Sequence, residues 1–197
     1  MLFAVFTLLL SQSAGLSGAT HNEPVPAEIA APVAATLASG GVRATANGTA
    51  ITFWWVKDLP GHSWTDVPEG TLIGAVKLDA AMADIRGHMM KAGVYTLRYG
   101  IQPANNDHFG ISPFRDFLLL SPAAVDTNPA VVDHDGVIAL SKQTLGGSHP
   151  AVLSIDPPTA AKQAPLDVYT TQLGHKSLIV QVGQLKFGIV LIGRIVT

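Results

Sequence analysis

The chain has 197 residues with a net charge of −2 and no cysteine. This length suits one domain that can bury its own core. Charged residues make up only 13 % of the chain. With no basic stripe to contact phosphates, the composition predicts no nucleic-acid partner. The lack of cysteine excludes disulfides, thiolate metal sites and cysteine nucleophiles.

Residues 1–19 are typical of an export signal. An apolar run at Leu2–Leu10 is followed by Ser17-Gly18-Ala19, which places small residues at the −3 and −1 positions of a cleavage site. The run is too short to cross a bilayer, which needs about 20 apolar residues. No Lys or Arg precedes it, which indicates that the start codon lies upstream or that the signal is atypical. We therefore expect a signal peptide, a secreted or periplasmic bacterial protein, and no transmembrane segment after cleavage.

Residues 20–40 are predicted to form an extended or short helical leader, ahead of a single β domain over residues 41–197. Asn47-Gly48 is the preferred pair for a type I′ turn, so the segments on either side of it should form a tight hairpin. The second of these strands is apolar on both faces. This pattern is typical of an inner strand or of a face that meets a partner.

A second hairpin is predicted around residues 94–120. Side chains alternate along Val94–Ile101, with Tyr95 and Leu97 on one face and Arg98 on the other, which indicates a half-buried strand. A polar connection leads to the next strand at Asp116–Leu120. Residues 85–90 are predicted to be the strand that enters this hairpin.

The C-terminal third alternates between helical and extended patterns. Asp135 is predicted to cap a helix over Gly136–Leu145 that ends at Gly146-Gly147. The segments Ser177–Val182 and Leu185–Val196 form the last predicted hairpin. So short a helix does not suit a parallel α/β sheet. The sequence therefore predicts a mainly β antiparallel sandwich, or alternatively a barrel, with one or two short helices.

The segment Gly87–Leu97 has the form Gly-x(4)-Ala-Gly-x-Tyr-x-Leu. It resembles a hairpin of secreted bacterial β-sandwich domains of unknown function. The strands predicted at Ile51–Val56 and Asp116–Leu120 fit the same order of elements, so the resemblance covers roughly a third of the chain. It implies the fold and export, and it brings no established activity.

Histidines are the candidate metal ligands, because His with Asp or Met can bind copper or zinc in a protein without cysteine. The predicted ligands are His62, His88, Asp107 and His108. His88 and the Asp107-His108 pair lie at opposite ends of the Val94–Ile101 strand, about 25 Å apart. This distance argues against one shared site. His108 would then need partners from other loops, such as His62, His134 or His149.

Gly61-His62-Ser63-Trp64-Thr65 is similar to the Gly-x-Ser-x-Gly elbow of serine hydrolases. The elbow places its serine in a sharp turn between a strand and a helix, and Thr65 stands where the second Gly is required. The following Asp66-Val-Pro-Glu-Gly70 does not suit the start of such a helix. A loop is therefore preferred, and a hydrolase at Ser63 is a remote alternative.

Four further residues are candidate ligand contacts. Trp54 and Trp64 could stack on sugar rings. At least one of the adjacent Trp54 and Trp55 is, however, expected to be buried in the core. Arg98 and Arg115 could bind an anion, but a cross-strand ion pair with Asp116 is preferred for them.

Low charge and an apolar composition predict an exported, non-catalytic binding or assembly domain. Its partner would be a protein, a polysaccharide or a second copy of the chain. The alternative function is a metal-binding protein that uses the histidines for copper or zinc.

Overall fold

The computed structural model describes residues 15–103, 112–147, 149–159 and 164–193. Most of this part of the chain is extended. Its strands are β1 (Leu16–His21), β2 (Leu37–Ala46), β3 (Thr49–Val56), β4 (Leu72–Leu78), β5 (Met82–Ala83), β6 (Met89–Met90), β7 (Gly93–Ile101), β8 (Asp116–Pro122), β9 (Ala151–Asp156), β10 (Val168–Thr170), β11 (Lys176–Val182) and β12 (Leu185–Ile192).

Helices are few and short in the described ranges. They are α1 (Ala31–Ala34), α2 (His134–Lys142) and two single 3-10 turns at Trp64–Asp66 and Gln143–Leu145. Neither α-helix is long or apolar enough to span a membrane.

Ten strands form one antiparallel sheet in the order β1-β2-β3-β4-β7-β8-β9-β12-β11-β10, and β5 pairs with β6 separately. β9 pairs with β8 through residues 151–154 and with β12 through Ile155 and Asp156. This divided pairing turns the sheet through a corner. At the other end β1 contacts β11 and β10, so the sheet nearly closes on itself. The mainly β antiparallel fold is confirmed, in an arrangement nearer to the predicted barrel.

The core fills the inside of this curved sheet. Phe53 and Trp55 of β3 stack with ring centroids 5.1 Å apart, and Phe187 of β12 meets Trp55 edge to face at 6.2 Å. Leu97 of β7 and Ile189 of β12 are fully buried in the same cluster. These inward positions follow the predicted alternation, because successive side chains of a strand point to opposite faces.

The predicted tight hairpin is confirmed. Asn47 and Gly48 have φ values of 51° and 83°, and Ala46 pairs with Thr49 across the turn. Positive φ at both central residues defines a type I′ turn, whose twist matches the twist of the strands. The C-terminal hairpin is also confirmed, because Val182 pairs with Leu185 across the two-residue turn at Gly183 and Gln184.

The outer face of the sheet is also covered, so the prediction that β7 is half-buried is wrong. Thr96 and Arg98, which point outward, are completely buried. Residues 122–133 pack over them, and α2 packs over β8. The helix helps to form a second apolar cluster on this face, consisting of Ile85, Phe117, Leu119, Val137, Val152 and Val190.

Two local predictions are wrong for reasons of side-chain hydrogen bonding. Of residues 85–90 only Met89 and Met90 are extended, because the Asp84 carboxylate accepts the N–H groups of Arg86 and His88 and closes a turn. The cap of α2 is Asp133 instead of Asp135, since the Asp133 carboxylate accepts the N–H of Gly136 at 2.8 Å.

The N-terminal residues that are described belong to the sheet. Leu16–His21 pairs with β2, and Gly18 lies so close to Leu178 that an added Cβ would come within 2.7 Å of its side chain. Ile29 and Val33, in the predicted leader, are buried in the main core. The predicted signal peptide overlaps β1 at residues 16–19, and its residues 1–14 lie outside the described part of the chain.

Candidate functional site

A cleft of about 530 Å³ lies on the outer face of the sheet beside α2. Its floor is apolar and includes Phe117, Leu119 and Val152 from β8 and β9, with Ile138 from α2. Its rim carries the charged and titratable side chains Glu69, Arg86, His134, Lys142 and His149. Because Arg and Lys outnumber the one carboxylate among the described lining residues, we call it the cationic cleft.

Arg86 is the half-buried cation of this cleft. Burial lowers the pKa of its guanidinium, and within the described residues Asp84 is the one charge that offsets this effect. The Asp84 carboxylate is already occupied by the N–H groups of Arg86 and His88, each at 2.9 Å, and by the His88 ring at 3.3 Å. The turn therefore fixes the backbone of Arg86, and the half-buried guanidinium lines the cleft.

The histidines of the cleft are held by specific neighbours. His134 at the start of α2 contacts Glu69 at 3.0 Å, and the same carboxylate oxygen accepts the N–H of Ile101 at 2.9 Å. The ring of His149, the second histidine of the cleft, stacks on the ring of His88 with centroids 5.1 Å apart and an angle of 19° between them. The turn at Asp84, the end of β7 and α2 thus converge on one site.

The predicted metal ligands are only partly brought together. His88 lies beside His149, whereas His62 is exposed in another loop and its N–H donates to Asp66. Asp107 and His108 lie outside the described residues. Within the described ranges there is no group of three or more His, Asp or Glu side chains that could hold a metal ion.

Ser63 caps a 3-10 turn. Its side chain and the Asp66 side chain form a reciprocal capping box. The Asp66 carboxylate accepts the N–H of His62 at 2.9 Å and the Ser63 hydroxyl at 3.1 Å, which lowers the pKa of Asp66. Gly61 is needed there, because its φ is 90° and a Cβ would lie 2.4 Å from the Asp66 Cβ. This segment is a capped turn, without the strand-to-helix geometry of an elbow.

Arg98 pairs with Asp126, so the predicted partner Asp116 is wrong. The guanidinium donates to the two Asp126 carboxylate oxygens at 2.7 and 2.8 Å. Its other donors reach the carbonyl oxygens of Gly70, Ala130 and Asn128. Asp116 instead accepts the Tyr99 hydroxyl at 2.6 Å. All five N–H donors of the guanidinium are therefore used within the protein. The ion pair holds residues 122–133 against the outer face of the sheet.

The other predicted ligand contacts have different surroundings. Trp54 is 1 % exposed, and its Nε1 donates to the Glu23 carbonyl oxygen at 2.9 Å. The half-buried Trp64 stacks on Tyr99 with centroids 4.7 Å apart. Arg115 donates at 2.7 Å to the carbonyl oxygen of Gln102, a residue that lines the cationic cleft. The expectation that at least one of Trp54 and Trp55 is a core residue is confirmed for both.

A second cavity, of about 420 Å³, lies on the outer face near β9 and β10. Its apolar walls are Pro113, Phe114, Pro157, Pro158, Tyr169 and Leu173. Asp156, only 3 % exposed, also lines it and accepts a hydrogen bond from the Ser177 hydroxyl at 3.2 Å. We call it the carboxyl cavity.

Burial sets the titration of the groups in the carboxyl cavity. It raises the pKa of Asp156 to about 6, against a smaller lowering by Ser177. Burial, with help from the Asp156 charge, raises the pKa of Tyr169 to about 12. Burial also lowers the pKa of His175. Gly188 makes room for the Tyr169 hydroxyl, which would lie 2.2 Å from a Cβ at that position.

Sequence reasoning missed Asp156, Arg86 and Lys142. The signal for Asp156 was a carboxylate at the end of the apolar strand Ala151–Asp156, directly before two prolines. Arg86 and Lys142 are ordinary polar residues in their local sequence. Only the packing of α2 beside the turn at Asp84 brings them to one cleft.

The contribution of Asp156 to the stability of the protein should fall as pH rises from about 4 to about 6. The folded state holds the Asp156 proton up to about pH 6, whereas the unfolded chain releases it near pH 3.9. The stabilising contribution is therefore complete below the unfolded pKa and is lost as pH passes the folded pKa. Urea unfolding across this range should show a decline in the wild type that is absent in Asp156→Asn. Identical pH profiles for the two proteins would contradict this assignment.

The fold and the two cavities define a mainly β protein with its candidate sites on the outer face of one nearly closed sheet. No family model, curated protein or solved structure matches the chain. The resemblance to secreted bacterial β-sandwich domains stays a prediction.

Proposed function

We propose that the protein is an exported, non-catalytic binding domain that holds an organic anion in the cationic cleft. One observation carries the proposal: the half-buried Arg86 faces a cleft whose floor is apolar. A charge that has lost part of its hydration gains from a partner of opposite sign.

The chemistry of the cleft favours a carboxylate attached to an apolar body. The planar guanidinium of Arg86 matches a carboxylate with two parallel hydrogen bonds. Lys142, in the last turn of α2, adds a second positive charge to the rim. Phe117, Leu119 and Val152 offer the apolar contact that most small-ligand sites use for affinity.

Two kinds of ligand have this chemistry. One is a small organic acid, and the other is an acidic polysaccharide whose sugar rings have apolar faces and whose carboxylates repeat along the chain. A partner protein or a second copy of the chain would instead need a larger interface than one cleft provides.

Replacing Arg86 by Met should weaken binding of benzoate about tenfold or more, as expected for the loss of a charge-assisted pair. Met keeps much of the apolar stem while removing the charge. Titrations followed by NMR at the amides of Ile138 and Val152 measure the affinity. Benzyl alcohol is the neutral probe and should bind both proteins equally weakly.

Arg43→Met is the matched control, because Arg43 lies at the surface in ion pairs with Glu23 and Asp79 and outside the cleft. It should bind benzoate like the wild type. Equal affinity of wild type and Arg86→Met for benzoate would refute the proposal. Retarded migration of the wild type in gels that contain polygalacturonate, lost in Arg86→Met, would identify an acidic polysaccharide as the ligand.

Metal binding is the second candidate function, favoured by the stacked rings of His88 and His149 beside Asp84. Elemental analysis of protein purified without a tag tests it. A stoichiometric amount of copper or zinc that is lost in His88→Ala would place this function ahead of anion binding.

Export is tested by the N-terminus of the secreted protein. Cleavage after Ala19 would remove four residues of β1, namely Leu16–Ala19, whereas a start at or before Leu16 keeps the strand whole. An intact Met1 on native protein from the cytoplasm would contradict export.

A further inference from the structure

We propose that the carboxyl cavity is a second binding site, which takes an organic ammonium ion with an apolar body and pairs it with the Asp156 carboxylate. This site is independent of the cationic cleft and of the anion proposed for it. The two cavities share no lining residue among those described.

Asp156 presents a buried carboxylate with unused capacity. It is the last residue of β9, and beyond it the chain leaves the sheet through Pro157 and Pro158. Among the described residues, only the Ser177 hydroxyl donates to it. An ionised carboxylate has about four acceptor positions. A ligand that donates several N–H bonds can therefore use the acceptor positions that the described residues leave open.

The walls of the cavity suit the rest of such a ligand. Tyr169 and Phe114 supply aromatic rings, which attract cations as well as apolar groups. Phe114 and Leu173 are 37 % and 41 % exposed, so apolar surface continues from the cavity to its rim. A volume of about 420 Å³ is enough for a small organic molecule.

A metal ion fits this cavity less well than an ammonium ion. Calcium is coordinated by about six to eight oxygen ligands, and transition metals need several imidazole or carboxylate ligands. Among the described lining residues there are one carboxylate and one imidazole, Asp156 and His175, and the other lining side chains are apolar or are the uncharged Thr159, Thr171 and Gln172. An ammonium ion needs a single carboxylate and gains from apolar contact with its organic body.

The groups that share the surroundings of Asp156 allow its charge to control binding. Among the described residues they are Ser177 from β11, Tyr169 from β10 and His175 from the turn before β11, while the wall at Pro113 and Phe114 is uncharged. Lys186, farther along the outward face of β12, is exposed. Asp156 gains its charge as pH rises past about 6, so ammonium binding should strengthen across the same range.

Benzylammonium tests the proposal, with benzyl alcohol as the neutral probe of matched shape. At about pH 7.5 the wild type should bind benzylammonium about tenfold more tightly than benzyl alcohol, and this preference should vanish near pH 4.5. NMR shifts at Phe114, Leu173 and Tyr169 report binding in this cavity. Asp156→Asn should lose the preference at both pH values.

Phe114→Ala is the second variant, because it alters an exposed wall and leaves Asp156 in place. It should weaken benzylammonium binding severalfold, as expected for the loss of an aromatic neighbour. Arg86→Met, altered in the other cavity, should bind benzylammonium like the wild type. Equal binding of the two probes by the wild type, or equal binding of benzylammonium by Asp156→Asn, would overturn the proposal.

Discussion

Replacing Asp126 by Ala should lower the free energy of unfolding by about 3–5 kcal/mol, because it leaves the Arg98 charge buried without its partner. Arg98 is 0 % exposed and Asp126 is 2 % exposed. The same change removes the acceptor of the Thr96 hydroxyl, which lies 2.6 Å from the carboxylate. Urea unfolding monitored by tryptophan fluorescence gives the value.

Asp79→Ala is the matched control. Asp79 also pairs with basic side chains, Arg43 at 3.3 Å and Lys77 at 3.5 Å, but all three are at the surface. Its loss should cost less than about 1 kcal/mol. In addition, replacing Arg98 by Met together with Asp126 by Leu should destabilise less than Asp126→Ala alone, since no unpaired charge stays buried. Equal losses for Asp79→Ala and Asp126→Ala would refute the account of this pair.

The buried pair also bears on the cationic cleft. Arg98 donates to the carbonyl oxygen of Gly70, and Glu69 immediately before it contacts His134 at the start of α2. Loss of Asp126 should therefore disturb the cleft as well as the fold.

Replacing Phe187 by Ala should cost about 3–5 kcal/mol of stability, as large-to-small changes in a packed core do. Phe187 is 1 % exposed. Its ring meets Trp55 of β3 at 6.2 Å and Trp64 at 5.0 Å. Phe187 thus connects β12 to β3 across the core. Its removal would leave a cavity that the surrounding aromatic rings cannot easily fill.

Phe187→Leu should cost clearly less than Phe187→Ala, since it keeps most of the buried carbon atoms. Phe114→Ala is the surface control, and its cost should be small because Phe114 is 37 % exposed. Thermal and urea unfolding of the three variants give the order. A loss at Phe187→Ala no larger than that at Phe114→Ala would show that the core is not packed around Phe187.

The elements that local sequence predicted correctly are those whose signals act over a few residues. Asn47-Gly48 specified its turn because few residue pairs tolerate two positive φ values. The alternation along β7 placed Leu97 inward. Where a distant side chain decides the environment, prediction failed: Arg98 looked like an exposed strand residue, and its partner lies 28 positions farther along the chain.

The candidate sites depended still more on distant contacts. His88 was a predicted metal ligand, but its neighbour His149 is distant in the sequence and follows α2. Arg86 and Asp156 were not predicted as ligand contacts, because the burial of their side chains depends on residues that are distant in the sequence.

The sequence by itself determined most of the strands, the tight turns and the antiparallel class, because backbone preference and the period of apolar residues are local properties. Only the tertiary structure decided which way the sheet closes, what covers its outer face and which charges become buried. Those outcomes depend on side chains that meet across many residues of chain, and on the desolvation that follows when they do.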